Sequence, residues 1–180
     1  MKKDFLYLKI KSLIIISPTK LFLKKIKDAL GLIQKTDLKE YRNIFSRLNI
    51  IFVTNKNDYT NEFFMPEKIW FANKLLIKNN DINWLASLII HEAFHATQFK
   101  NGKYIFPLGE KLEKPAIELQ KKFLEKLEGK KVRKETKYLI QKKYWRKIED
   151  DKKSFSYFRN LLYLFQNKKI NLKRVIASRN

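Results

Sequence analysis

Apolar and polar positions follow two different periods along the first half of the chain. Runs rich in apolar and β-branched residues at 5–16 and 50–53 predict buried strands. Two shorter apolar runs, at 69–71 and 75–77, flank the Ala-Asn-Lys sequence at 72–74, which predicts a tight hairpin turn. Together these segments predict a small antiparallel sheet that includes a hairpin.

A helical period governs most of the remaining sequence, because apolar residues there recur every three or four positions. Capping residues at 79–81 precede a helix that starts at Ile82, and Gly129 ends a second long helix. The pattern predicts an α+β fold that is mostly helical, with the sheet and hairpin packed against the helices. The predicted helices cover 19–33, 37–48, about twenty residues from Ile82, 111–128, 132–148 and 155–165.

The length and the cysteine content limit the architecture and the chemistry. A chain of 180 residues suits one domain with a sizeable core. We expect a single domain over 1–180, in which 130–180 form basic C-terminal helices. The absence of cysteine excludes disulfide scaffolds, cysteine zinc sites, iron–sulfur clusters and thiol nucleophiles. Any metal ion must therefore be bound by His, Asp or Glu.

The charge balance suggests a second class of function. The formal net charge is +22, which is typical of proteins that bind nucleic acid or an anionic surface. However, 33 of the 40 basic residues are Lys and only 7 are Arg, whereas recognition of phosphates and bases usually favours the bidentate Arg fork. A coding bias toward Lys, Ile and Asn explains the charge without such a partner. A basic nucleic-acid or anionic-surface binding module is therefore the alternative function, and it is not favoured.

The sequence contains no segment typical of a membrane protein. No apolar run approaches the ~20 residues that a membrane-spanning helix needs. Near the start of the chain, Asp4, Lys9 and Lys11 interrupt the apolar stretch, and no small-residue cleavage site follows. We therefore expect a cytoplasmic protein without a transmembrane segment, and the sequence does not indicate its oligomeric state.

The chain contains only two histidines, and they carry its most specific motif. His91 and His95 enclose Glu92 in the pattern HExxH. On a helix, residues four apart lie on the same face, so both imidazoles can reach one metal ion. The glutamate beside the first histidine is offset from them and can hold a water molecule instead. The motif therefore predicts a metal site in which Glu92 is the catalytic residue.

The segment around this motif, Ser-Leu-Ile-Ile-His-Glu-Ala-Phe-His-Ala-Thr-Gln at 87–98, resembles the core of the zincin metallopeptidases, and the resemblance covers about 68–128. The sequence at 98–101 lacks the glycine-histidine extension of the metzincins, and the motif is more similar to the gluzincins. This resemblance implies a zinc-dependent peptidase that acts on a peptide or protein substrate. It also implies that a glutamate on a later helix is the third zinc ligand.

Three glutamates after the motif, Glu110, Glu113 and Glu118, are candidates for the third ligand. On a helical wheel Glu113 falls within the apolar stripe, whereas Glu118 points outward beside lysines. The Glu-Lys-Pro-Ala sequence at 113–116 is similar to the Glu-x-x-Ala sequence around the ligand glutamate of many gluzincins, although Pro115 departs from the commoner pattern. We therefore expect Zn²⁺ on His91, His95 and Glu113, with Glu110 in reserve.

Further side chains are candidates for supporting roles. Gln98 shares a helix face with His95, so it is a candidate hydrogen-bond partner that orients this ligand; a solvated glutamine at a helix end is the alternative. A donor to the transition-state oxyanion is also expected. Tyr104, Tyr138 and Tyr144 are available for this role, and the sequence selects none of them.

Overall fold

The computed structural model describes residues 5–55, 62–64, 67–98 and 110–129. All of them belong to one compact unit over Met1–Gln141. The helices predicted at 132–148 and 155–165 lie outside the described residues, as does the whole predicted basic C-terminal region, 130–180. The described elements are β1 (Leu6–Ile10), β2 (Leu13–Ser17), α1 (Lys20–Thr36), α2 (Leu38–Arg47), β3 (Ile50–Thr54), β4 (Glu62–Phe64), β5 (Ile69–Asn73), α3 (Lys74–Asn79), α4 (Ile82–Gln98) and α5 (Glu110–Glu128).

The described strands form one mixed sheet in the order β1-β2-β3-β5-β4. The pairs β1/β2 and β4/β5 are antiparallel, but β2/β3 and β3/β5 are parallel. The α+β class is confirmed, whereas the expectation of an antiparallel sheet is wrong. The reason is the crossover through α1 and α2, which returns the chain to the sheet in its original direction and makes β2 and β3 parallel.

The predicted strand at 5–16 is two strands joined by a tight turn. Ile10 pairs with Leu13 across this turn, and Lys11 takes a positive φ of 52°. A positive φ is uncommon for a residue with a Cβ. The Lys11 ammonium lies 4.9 Å from the centre of the Tyr41 ring, within range of a cation–π contact. The turn therefore places β1 at the edge of the sheet.

The hairpin predicted at 69–77 is wrong, because residues 75–77 lie in helix α3. The Asn73 side chain caps this helix by accepting a hydrogen bond from the Leu75 backbone N–H at 2.7 Å. Leu76 and Ile77 then pack into the core from the helix. Strand β5 instead pairs antiparallel with the preceding strand, β4.

The main core lies between one face of the sheet and the helices. Its sheet side is formed by alternate positions of β2, β3 and β5, as the period of two predicts. Helix α4 contacts α1 and α2, and it also contacts α5. The core residues on the sheet are Leu13, Ile15, Ile51, Val53, Trp70 and Ala72, and they join buried residues of α1, α2 and α4 in one cluster.

Helices α4 and α5 run antiparallel and place the HExxH motif at their interface. Asn83 near the start of α4 donates to Glu128 at the end of α5, and Ser87 contacts Gln120 one turn further along α4. Gly129, at φ 76°, ends α5 as predicted. No helix in the described ranges is long and apolar enough to cross a membrane.

Candidate metal centre

The two histidines of the motif lie in the second half of α4, where helical spacing places them one turn apart on the same face. Their Nε2 atoms are 3.2 Å apart. The ring centres are separated by 4.9 Å, and the ring planes are inclined at 78°. Both side chains are buried. The motif therefore places the Nε2 atoms of both histidines next to each other in the protein interior.

The third member of the cluster comes from α5. Glu113 Oε2 lies 3.2 Å from His91 Nε2, and Glu113 Oε1 lies 3.4 Å from His95 Nε2. The Glu113 side chain is buried, whereas Glu118 is exposed to solvent. Glu110 begins α5, and its side chain lies outside the described residues. Of the three candidate glutamates, the structure brings Glu113 to the histidines.

The spacing of these three groups suits a tetrahedral ion. Zinc bonds to nitrogen and oxygen are about 2.0–2.2 Å long, so two ligand atoms at a tetrahedral angle are roughly 3.3 Å apart. The two Nε2 atoms are 3.2 Å apart, and the Glu113 oxygens Oε2 and Oε1 lie 3.2 and 3.4 Å from the Nε2 atoms of His91 and His95, respectively. Each separation is close to that value. The three ligand atoms are also the only described group that could hold a metal ion. The donor set of two imidazoles and one carboxylate is one that zinc accepts.

Gln98 determines which nitrogen of His95 is available to a metal ion. Its Oε1 lies 2.7 Å from His95 Nδ1. An amide oxygen can only accept, so the Nδ1 of His95 carries the proton and donates to Gln98. The lone pair is then on Nε2, the atom directed at His91 and Glu113. This contact is the one predicted for Gln98 from the helix face that it shares with His95.

His91 and Glu113 shift each other's pKa in opposite directions. Burial lowers the pKa of His91, but its hydrogen bond to the Glu113 carboxylate, the charges of Glu92 and Glu113 and the Gln120 side chain raise it, and the net pKa is above the ordinary value for histidine. For Glu113, burial raises the pKa, and the two histidines lower it by a larger amount. The Glu113 carboxylate is therefore ionised at neutral pH and is stabilised by the two histidines.

Glu92 is buried beside the cluster without being one of its three members. Burial raises the pKa of its carboxyl group, and Glu113 adds to this effect, while His91 and His95 oppose it; the net pKa is above the ordinary value for glutamate. A carboxyl group with a raised pKa is a stronger base once it is ionised. Glu92 is thus suited to accept and release a proton.

Two buried polar residues next to this site, Ser87 and Gln120, were not predicted from the sequence. The Gln120 amide nitrogen donates to the Ser87 hydroxyl at 3.1 Å. A signal was present in the sequence. Ser87 is one turn before His91 on α4, and Gln120 is two turns after Glu113 on the apolar face of α5. Tyr104, Tyr138 and Tyr144 lie outside the described residues.

Comparisons with protein-family models, with curated proteins and with solved structures found no match for this chain. The zincin resemblance therefore depends on residues of this chain alone, chiefly the HExxH motif and Glu113. The function proposed below for the protein is inferred from the arrangement of those side chains.

Proposed function

We propose that the protein is a zinc-dependent hydrolase that cleaves peptide bonds. The observation that carries this proposal is the convergence of His91, His95 and Glu113 from two helices. Buried groups of this kind are costly unless a cation or hydrogen bonds compensate them. Zinc held by these residues would supply Lewis acidity, which polarises a carbonyl and lowers the pKa of water to about 7.

In this proposal Glu92 moves the protons. Its carboxylate accepts a proton from the attacking water and then passes that proton to the nitrogen of the leaving amine. Because Glu92 sits next to His91 on α4 and is not itself part of the ligand cluster, its oxygens stay available for this transfer. Gln98 holds the His95 ring with its Nε2 directed at the cluster throughout.

The experiment that tests this function measures bound metal and hydrolysis together. The protein is purified without metal-affinity resin, and Zn, Fe, Mn and Co are quantified by elemental analysis. A cluster of two histidines and one carboxylate also occurs in non-haem iron enzymes, so the identity of the metal is informative. We expect one equivalent of zinc, and hydrolysis of a fluorescently labelled unfolded protein that is abolished by a chelator.

The matched variant is Glu92→Gln, which preserves the size of the side chain but cannot accept the proton from water. We expect it to retain zinc and to lose about 10²–10⁴-fold in hydrolysis rate. A variant that loses its zinc would show that Glu92 is a ligand. A wild-type protein that carries iron, or carries zinc and cleaves no peptide bond, would contradict the peptidase proposal.

The net charge of +22 supports a second candidate function, a basic module that binds nucleic acid or an anionic surface. Random duplex DNA discriminates between the two candidates. If the charge has no specific partner, we expect a Kd of about 10⁻⁴–10⁻⁶ M at physiological salt, as for non-specific binding. Nanomolar binding at that salt concentration, together with the absence of zinc, would favour the binding module.

A further inference from the structure

A buried polar pair at the α4–α5 interface has no role in the proton transfers described above. Ser87 and Gln120 are both completely buried. The Ser87 hydroxyl donates to the Trp84 carbonyl at 2.7 Å, so its oxygen is left to accept a hydrogen bond. It accepts from Gln120 Nε2. The hydrogen bond to Ser87 fixes the orientation of the Gln120 amide, so that Gln120 Oε1 must accept from a different donor.

Two buried polar atoms near this pair have no hydrogen-bond partner in the described part of the chain, and they are complementary. One is Gln120 Oε1, an acceptor, and the other is His91 Nδ1. Ser87 lies one turn before His91 on the same side of α4, so an amide bound to Ser87 is placed beside the His91 ring. Buried polar groups in proteins are rarely left without a partner.

A metal ligand needs such a partner. An imidazole that offers its Nε2 lone pair to a metal carries its proton on Nδ1, and a buried N–H of this kind requires an acceptor. His95 has its acceptor in Gln98, at 2.7 Å. His91 Nδ1 forms no hydrogen bond of normal geometry, but the Gln120 side chain lies within interaction range of the ring. Its unused oxygen is therefore the group positioned to accept from Nδ1.

We propose that Gln120 is the positioning residue of His91: it accepts the Nδ1 proton when the metal binds, and Ser87 holds its amide in the required orientation. The proposal rests on the proposed zinc site. It makes the site symmetric in its chemistry, since each histidine would be oriented by a glutamine. One glutamine lies at the end of the same helix and the other lies on the neighbouring helix.

The test is a measurement of metal affinity in the full-length protein, by competition with a chelator. Gln120→Met keeps the length of the side chain and removes the acceptor, and we expect zinc affinity to fall about 10–100-fold. Gln120→Glu restores an acceptor oxygen and should recover most of that loss. Lys122→Met makes the same kind of replacement at an exposed position of α5 and should leave the affinity unchanged.

A second measurement separates positioning from a structural effect. Cobalt(II) replaces zinc, and its visible absorption spectrum reports the ligand geometry. We expect the spectrum of Gln120→Met to shift and that of Gln120→Glu to resemble the wild type. If Gln120→Met does not fold, Ser87→Ala decides the question, since it frees the amide and should also weaken metal binding.

The outcomes distinguish the two proposals. A wild-type protein that binds neither zinc nor cobalt would overturn the metal site and the role of Gln120 with it. A wild-type protein that binds one equivalent, together with unchanged affinity and an unchanged cobalt spectrum in Gln120→Met, or in Ser87→Ala where that variant decides, would overturn the role of Gln120 alone.

Discussion

The two sides of helix α4 are buried to a similar degree, but their chemistry is opposite. One side carries Leu85, Ile89 and Ala93, which are at most 1% exposed and belong to the main core. The other side carries His91 and His95, which are 7–8% exposed and contact α5 through polar groups. The same helix therefore has an apolar interface and a polar one.

The two sides of α4 differ in how their burial affects the stability of the fold. Burial of an aliphatic side chain stabilises the fold by about 1.5–3 kcal/mol. Burial of ionisable groups such as Glu92 and Glu113 is costly unless partners compensate them, and an apolar replacement of a buried charged cluster is often neutral or stabilising. A sequence selected for stability alone would have apolar residues on both sides of α4. We therefore assign the proposed chemistry to the polar side of α4.

The largest expected effect follows from making the polar side apolar. The triple variant His91→Leu, His95→Leu and Glu113→Leu removes all three proposed ligands. We expect zinc binding to disappear completely, while the free energy of unfolding of the metal-free protein stays the same or rises by up to about 4 kcal/mol. Zinc titration followed by urea denaturation with a chelator present measures both quantities.

The wild-type protein supplies the control for this variant. Zinc at 100 times its Kd should stabilise the wild type by about 2.7 kcal/mol and leave the triple variant unaffected. A metal-free triple variant that is less stable by about 3 kcal/mol or more would contradict the comparison. It would show that the polar cluster itself holds α4 and α5 together.

The second-largest expected effect comes from the apolar side of α4. Leu85→Ala removes a side chain with no solvent exposure and should lower the free energy of unfolding by about 2–5 kcal/mol. The zinc affinity of the folded protein should be unchanged, because Leu85 packs in the main core and is not one of the proposed ligands. Leu21→Ala makes the same replacement at a residue that is 67% exposed, and it should change stability by less than about 0.5 kcal/mol. Equal effects of the two replacements would contradict the burial of α4 described above.

The sequence predicted the helices of this fold better than its sheet. Apolar spacing located α1, α2, α4 and α5 to within a few residues, because a helical stripe is a property of one continuous segment. The direction of strand pairing depends on how distant segments return to the sheet. The turn at Lys11 was missed because lysine is not a usual residue at positive φ. The run at 75–77 is compatible with a strand or a helix, and the Asn73 cap decided in favour of a helix.

The candidate site could be predicted in part for the same reason. His91 and His95 are on one helix, so their spacing alone places them together. Glu113 is on another helix, and its orientation could be predicted only from the apolar stripe around it. The position of Gln120 on the apolar face of α5 was a signal, but its proposed role could not be predicted, because that role depends on which atom of its amide Ser87 binds. That is a property of the contact between α4 and α5.

The smallest expected effect comes from a polar contact at the edge of the protein, where the Asp37 carboxylate accepts from Lys126 of α5 and caps α2 through the Glu40 N–H. Partial burial raises the pKa of Asp37. Lys126 and the backbone hydrogen bonds lower it by a larger amount, so the pKa of Asp37 is below the ordinary value. A depressed pKa means that the charged form stabilises the folded state above the unfolded pKa of about 3.9, and that this stabilisation is lost as the pH falls through the lower folded value.

Asp37→Asn should therefore be less stable than the wild type by less than about 1 kcal/mol at pH 7, and the difference should shrink below about pH 4. Urea denaturation at pH 7 and pH 3 measures this, with Asp28→Asn in an exposed pair with Lys24 as the control. A difference that stays constant with pH would contradict the assignment to the Asp37 charge and attribute the effect to the cap alone.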